Sequence, residues 1–124
     1  MIKYLLVGIG GFIGSVCRYL LSQISISNAT DFPINTFIIN FSGALIIGII
    51  TGLSVKNSNI DPNLILLINI GICGGFTTFS TFSLETINLF NEGNIIVAVA
   101  YVLLSILICL LAVVAGQNIV KCLP

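Results

Sequence analysis

NIGICGGFTTFSTFSLET, residues 69–86, sets Gly71, Gly74 and Gly75 beside Thr77, Thr78, Ser80, Thr81 and Ser83, with Phe76, Phe79 and Phe82 between them. Apolar sequence continues on both sides for long enough to form membrane helices. Adjacent glycines cost roughly 1 kcal/mol each relative to alanine in a helix interior, and threonine hydroxyls can bond carbonyls that a break releases. The stretch therefore predicts a helix interrupted near residues 74–78. Inside a bilayer, broken backbone persists only where protein or a watery cavity shields it, so such a break marks an ion or substrate site. Gly71 and Gly75 also form a small-xxx-small pair that would let two helices cross closely. Packing alone is thus the rival account of the glycines, and the hydroxyls and aromatics beside them favour the break.

The composition around this stretch excludes an ordinary soluble domain. Of 124 residues, 57% are apolar and 6% charged, with a mean hydropathy of +1.20, whereas a globular chain carries about 25% charged residues. The chain reads as an integral membrane protein whose surface meets lipid. Four basic residues offer no patch to neutralise phosphates, so no nucleic-acid partner is expected. The absence of histidine excludes histidine catalysis and histidine metal sites. Cys17, Cys73, Cys109 and Cys122 stand singly in apolar sequence, without the paired spacing of a zinc or redox site, and read as small hydrophobes. A signal peptide at the N-terminus is disfavoured because Arg18 stands where a small-residue cleavage site should lie.

Four segments reach the about 20 residues needed to cross a hydrocarbon core: roughly 2–23, 34–55, 63–91 with the break inside it, and 94–119. Short polar connections join them at 25–31, 56–61 and 91–93. Asp61 before Pro62 is a helix start, an N-cap acceptor followed by a residue whose missing N–H is not needed there; Pro33 opens the second segment in the same way. The predicted fold is all-α, one four-helix transmembrane domain with its third helix broken, and the function must lie within the membrane.

Several polar residues sit inside these segments. Gly10 and Gly14 form a GxxxG pair ahead of Arg18 and Tyr19. Arg18 is either an interfacial anchor that snorkels to the headgroups or the lining of a wet entrance. Asn40 lies well inside the second segment, where an amide must find partners on another helix or in a cavity; Thr36 lies one turn before it. Tyr101, Ser105 and Cys109 form a narrow polar stripe at i, i+4 and i+8, suited to packing or to a pathway.

At these residues the chain resembles the Fluc/CrcB fluoride channels over nearly its whole length. The shared motifs are GxGGxxGxxxRY at Gly8 to Tyr19, NTxxxNxxG at Asn35 to Gly43, and GxxGGFTTFSTFSxE at Gly71 to Glu85. Asn35 stands where glycine is expected, and Cys109 where a third hydroxyl is. The resemblance implies a bacterial inner-membrane channel that passively exports fluoride and lowers its toxicity. It also implies an antiparallel, dual-topology dimer with two fluoride pores and a structural sodium ion at its centre. Carried over by motif position, the sodium ligands are the backbone carbonyls of Gly74 and Thr77. A hard cation wants oxygen ligands, and a helix break supplies them without a carboxylate.

The aromatic residues of the motif resemble a pore-lining pair. At about 100° per residue, Phe79 and Phe82 fall on one arc, with Ser83 and Thr86 beside them. Aromatic rings have a positive edge. Ring edges would replace part of the water that a small anion loses, while Asn40, Ser80 and Ser83 donate hydrogen bonds without a full charge that would trap it. Tyr101 and Ser105 join this expected pathway from the fourth segment. Glu85 lies on a neighbouring arc and would repel an anion unless protonated or turned away; a hydroxyl or Arg18 is its expected partner.

Charge in the connections bears on orientation. Lys3, Lys56 and Lys121 share one side of a four-span chain, and the other side has Asp31 and Glu92 with no Lys or Arg unless Arg18 reaches it. Lys and Arg set orientation while acids contribute little, which leans the termini toward the cytoplasm. The expected assembly is an antiparallel homodimer, with pairing to an oppositely oriented homologue as the alternative. Two further functions compete. A small multidrug-type proton antiporter is disfavoured because the first segment has no acid and the chain no Trp. A non-transporting membrane assembly subunit would have polar residues explained wholly by packing. An enzyme is not expected, since Glu85 is the one acid within a span and lacks a nucleophile–base partner.

Overall fold

The computed structural model describes residues 1–24 and 31–123, and every regular element among them is helical. These are α1 (Ile2–Ser22), α2 (Ile34–Lys56), α3 (Pro62–Ile65), a π-helical segment (Leu66–Cys73), α4 (Gly74–Phe76), α5 (Phe79–Asn91) and α6 (Ile95–Cys122). Four stretches are long and apolar enough to cross a membrane: α1, α2, the third span Pro62–Asn91, and α6. The first connection, read as 25–31, lies outside the described residues except for Asp31. Much of each span's apolar surface faces away from the chain, as lipid-facing helices require; on α6, Leu103, Leu107, Leu110 and Leu111 are each more than half exposed.

Local chemistry sets the element ends. The Asp61 carboxylate accepts the Asn63 N–H at 2.8 Å, with Pro62 at the first helical position, so an orphan donor of the helix start is satisfied. Between α5 and α6, Gly93 adopts φ +81, a conformation disfavoured for residues with a Cβ. There Asn94 N–H reaches the Leu89 carbonyl at 2.9 Å and Gly93 N–H the Phe90 carbonyl at 3.1 Å, which ends α5 in a Schellman motif. Gly74 is helical, at φ −64 and ψ −37. Within the third span, extended backbone is confined to Thr77, with ψ 153, and Thr78, with φ −145 and ψ 110. Nothing in residue type announces the π-helical segment that precedes them.

Small residues decide which helices meet. A Cβ added to Gly10 would lie 2.5 Å from the Leu67 carbonyl oxygen and 2.8 Å from Gly71 Cα, and one on Gly14 would strike the Ile72 carbonyl. At the next turn, a Cβ on Gly75 would lie 2.5 Å from the Gly11 carbonyl oxygen. The contacts advance together along both chains, so α1 runs parallel to the first half of the third span, backbone on backbone. Gly48 against Val113, and Gly116 against Leu45 and Ile49, bring α2 and α6 together in the same manner. These two helices are also parallel: Asn94 Nδ2 donates to Asp31 at 2.9 Å at one end, and Lys56 Nζ donates to the Leu123 carbonyl at 2.6 Å at the other. Phe82, Leu89, Ala98 and Tyr101 form the buried cluster between α5 and α6, with Phe32 and Phe37 packed against it.

Candidate functional site

Extended backbone at Thr77 and Thr78 leaves amides and carbonyls that need partners. Asn40 supplies two of them. Its Oδ1 accepts the Thr78 N–H at 2.8 Å, and its Nδ2 donates to the Thr78 carbonyl at 3.2 Å. The Asn40 amide thus grips one residue from both sides, as a neighbouring strand would. Thr78 in turn caps α5: its hydroxyl accepts the Thr81 N–H at 3.2 Å and donates to Thr81 Oγ1 at 2.9 Å. Thr77 returns both its N–H and its hydroxyl to the Cys73 carbonyl, at 3.0 and 2.9 Å. From α1, Arg18 Nε and Ser15 Oγ donate to the Gly75 carbonyl at 3.3 and 3.4 Å. Arg18 therefore bonds the short α4 turn ahead of Thr77. The Gly74 carbonyl loses its ordinary i+4 donor, because the Thr78 N–H is taken by Asn40.

Beside Thr77 and Thr78 lies a cavity of about 330 Å³, with Asn40, Phe79, Phe82, Ser105 and Cys109 also on its wall. The Phe79 and Phe82 ring centroids are 5.5 Å apart and tilted by 42°. Phe82 is buried at 8% exposure, while Phe79 is 78% exposed, so one ring is part of the core and the other projects from the chain. The Ser105 hydroxyl is buried and has no hydrogen-bond partner among the described residues. Such a group is costly to bury unless something occupies the space it faces. Asn40 Nδ2 carries a second N–H beyond the one given to Thr78. The wall thus combines two aromatic rings with neutral donors.

Three expected pathway residues, Ser80, Ser83 and Tyr101, lie off this wall. Ser83 donates back to the Phe79 carbonyl at 2.8 Å, one turn earlier, the usual local competitor for a hydroxyl on a helix. Ser80 is exposed and lies 3.3 Å from the Thr78 hydroxyl. Tyr101 is fully buried and donates to Glu85 Oε2 at 2.8 Å, while Thr36 donates to Glu85 Oε1 at 2.7 Å. Of the two partners open to Glu85, hydroxyls from α2 and α6 hold it, and Arg18 is engaged elsewhere. A run of aromatic contacts links this carboxylate to the cavity: Phe82 to Tyr101 at 5.1 Å, and Tyr101 to Phe32 at 5.2 Å. Sequence reasoning missed Phe32, which sits in a connection rather than in a motif. It also missed the backbone role of Asn40, for which the one signal was a lone amide deep in an apolar span.

Comparison with known proteins adds a family to this geometry. The family profile described as CrcB-like protein, Camphor Resistance (CrcB), matches residues 5–117. A relative from Ruminiclostridium cellulolyticum, named Fluoride-specific ion channel FluC, is 45% identical over 98% of this chain and 94% of its own. Relatives of the same name from Azobacteroides pseudotrichonymphae and Clostridium perfringens are 44% and 43% identical, over 92% and 96% of this chain and 92% and 94% of theirs.

Proposed function

The chain belongs to the CrcB family, and on that footing we propose that it is a fluoride-selective channel of the bacterial inner membrane, not an enzyme. The observation that carries the reading is the cavity wall of Phe79, Phe82, Asn40 and the Ser105 hydroxyl, which has no partner among the described residues. Fluoride entering it exchanges water for the positive edges of two rings, the free N–H of Asn40 and the Ser105 O–H. None of these carries a full charge, so binding stays weak enough for release. Glu85 stays ordered between Thr36 and Tyr101, off the wall. Conduction is passive, and fluoride that entered as neutral HF and ionised inside would leave down its gradient, lowering its toxicity.

The working unit in this reading is an antiparallel, dual-topology homodimer whose third helix is functionally broken at Thr77 and Thr78. It is supported by the exposure of Phe79, which a second subunit would cover. Three lysines on one side are a modest orientation bias, so pairing with an oppositely oriented homologue is the alternative assembly. A sodium ion at the dimer centre would be held by the Gly74 and Thr77 carbonyls of both subunits. The donor set fits: Gly74 faces outward from the chain, its carbonyl has lost its helical donor, and main-chain oxygens suit a hard cation. When bound, the ion would supply positive charge among these carbonyls.

The test is fluoride efflux from liposomes containing only this protein. Passive, fluoride-selective efflux is expected. No flux would favour an assembly subunit, and proton-coupled flux of organic cations an antiporter. Equal flux after complete replacement of sodium by N-methylglucamine, with sodium absent from the purified protein, would remove the ion from the proposal.

A further inference from the structure

A second cavity, of about 510 Å³, opens where α2 and α6 end, away from the pathway residues. Thr51, Gly52, Val55, Lys56, Gln117 and Lys121 line it. Its polar inventory is dominated by donors. Lys56 is held in place by the carbonyls at the end of α6, Leu123 at 2.6 Å and Val120 at 3.5 Å. Lys121 and Gln117 have no hydrogen-bond or ion-pair partner among the described residues. The Thr51 hydroxyl accepts the Asn69 amide at 3.3 Å, which leaves its own proton to donate. No carboxylate side chain lies on the wall.

The Lys121 ammonium, the Gln117 amide and the Thr51 hydroxyl around one space, beside the already held Lys56, call for an anion rich in acceptor oxygens. Thr51 lies five residues before Lys56 on a helix, about 7.5 Å along its axis, so the cavity runs from the helix ends into the apolar part of the span. That is the depth at which a phospholipid passes from phosphate to acyl chain. Val55, 83% exposed, lies on its wall with apolar surface facing outward. We propose that this cavity binds the headgroup phosphate of an anionic phospholipid, with an acyl chain lying against the apolar flank. A free phosphate would satisfy the same donors but has no use for that flank.

Native mass spectrometry of the purified protein with phosphatidylglycerol or phosphatidylcholine tests this. Retention of phosphatidylglycerol over phosphatidylcholine is expected, with about a fivefold loss in Lys121→Gln, the factor for removing one lysine near an anionic lipid surface. Lys121→Arg should retain the lipid, and Gln117→Leu should weaken it. Fluoride flux should be the same in Lys121→Gln as in the wild type, which certifies its fold. Equal retention of the two lipids, or equal phosphatidylglycerol retention by wild type and Lys121→Gln, overturns the site. Stabilisation by inorganic phosphate alone, with nothing added by phosphatidylglycerol, overturns the lipid as its occupant.

Discussion

Replacing Asn40 with leucine keeps an apolar side chain of similar size in α2 but removes both hydrogen bonds to Thr78. Thr78 is only 9% exposed, and water cannot readily replace what Asn40 supplied. A buried backbone group left without a partner costs about 1–3 kcal/mol, so two such groups predict a loss of about 2–6 kcal/mol. That is large against a typical total of about 5–15 kcal/mol. Part of the loss can be read at the site. Hydrogen exchange of the Thr78 amide should accelerate by about 5- to 140-fold for its own share of about 1–3 kcal/mol, while amides in the middle of α6 keep their protection. The thermal midpoint in detergent should fall, and fluoride flux with it. If Asn40→Leu leaves both the Thr78 exchange rate and the midpoint unchanged, Asn40 does not hold Thr78 in place.

Four further outcomes follow from the same geometry. Phe79→Ile, at a ring that projects from the chain, should cut flux sharply with folding intact, and Phe82→Ile should cut flux while also losing its ring contact with Tyr101; wild-type flux in the double variant would end the ring-edge account. Gly75→Ala should lower the thermal midpoint by an amount corresponding to about 1–3 kcal/mol, because its Cβ would meet the Gly11 backbone; an unchanged midpoint would show that α1 is free to move away. Ser105→Ala should reduce flux without loss of stability, since its hydroxyl has no partner among the described residues, and a clear drop in midpoint would reveal one. Tyr101→Phe should destabilise by about 0.5–1.5 kcal/mol, the range for a typical hydrogen bond, as Glu85 loses one of its two hydroxyl partners; unfolding in denaturing detergent measures it.

Apolar runs mark the four spans because length and composition alone settle whether a helix can cross a bilayer. The end chemistry at Asp61 and Pro62 is legible for the same kind of reason, since capping depends on neighbours in the chain. Partners across helices are another matter. A hydroxyl on a helix can donate to its own previous turn or to a distant acceptor, and residue type does not choose: Ser83 bonds Phe79, whereas Tyr101 and Thr36 cross to Glu85. Arc position on an ideal helix likewise overestimates what shares a wall, placing Ser83 beside the Phe79–Phe82 pair when its hydroxyl is already spent. The π-helical segment from Leu66 to Cys73 has no signature in residue type. It accompanies the close approach of Gly71 to Gly10, a tertiary fact that no local window contains.

The parallel pairing of α2 with α6 has a consequence for biogenesis. Roughly forty residues separate the end of α2 at Lys56 from the start of α6 at Ile95, so at a synthesis rate of about 5–20 residues per second α2 waits about 2–8 s for its neighbour. Its partner in the finished bundle is the fourth span, made after the other three. Until then the groove at Gly48 faces lipid or chaperone, and Glu85 has Thr36 but not Tyr101. A nascent chain arrested after Gly93 should therefore be extracted by membrane proteases faster than one released after Lys121, and supplying α6 as a separate peptide should protect it.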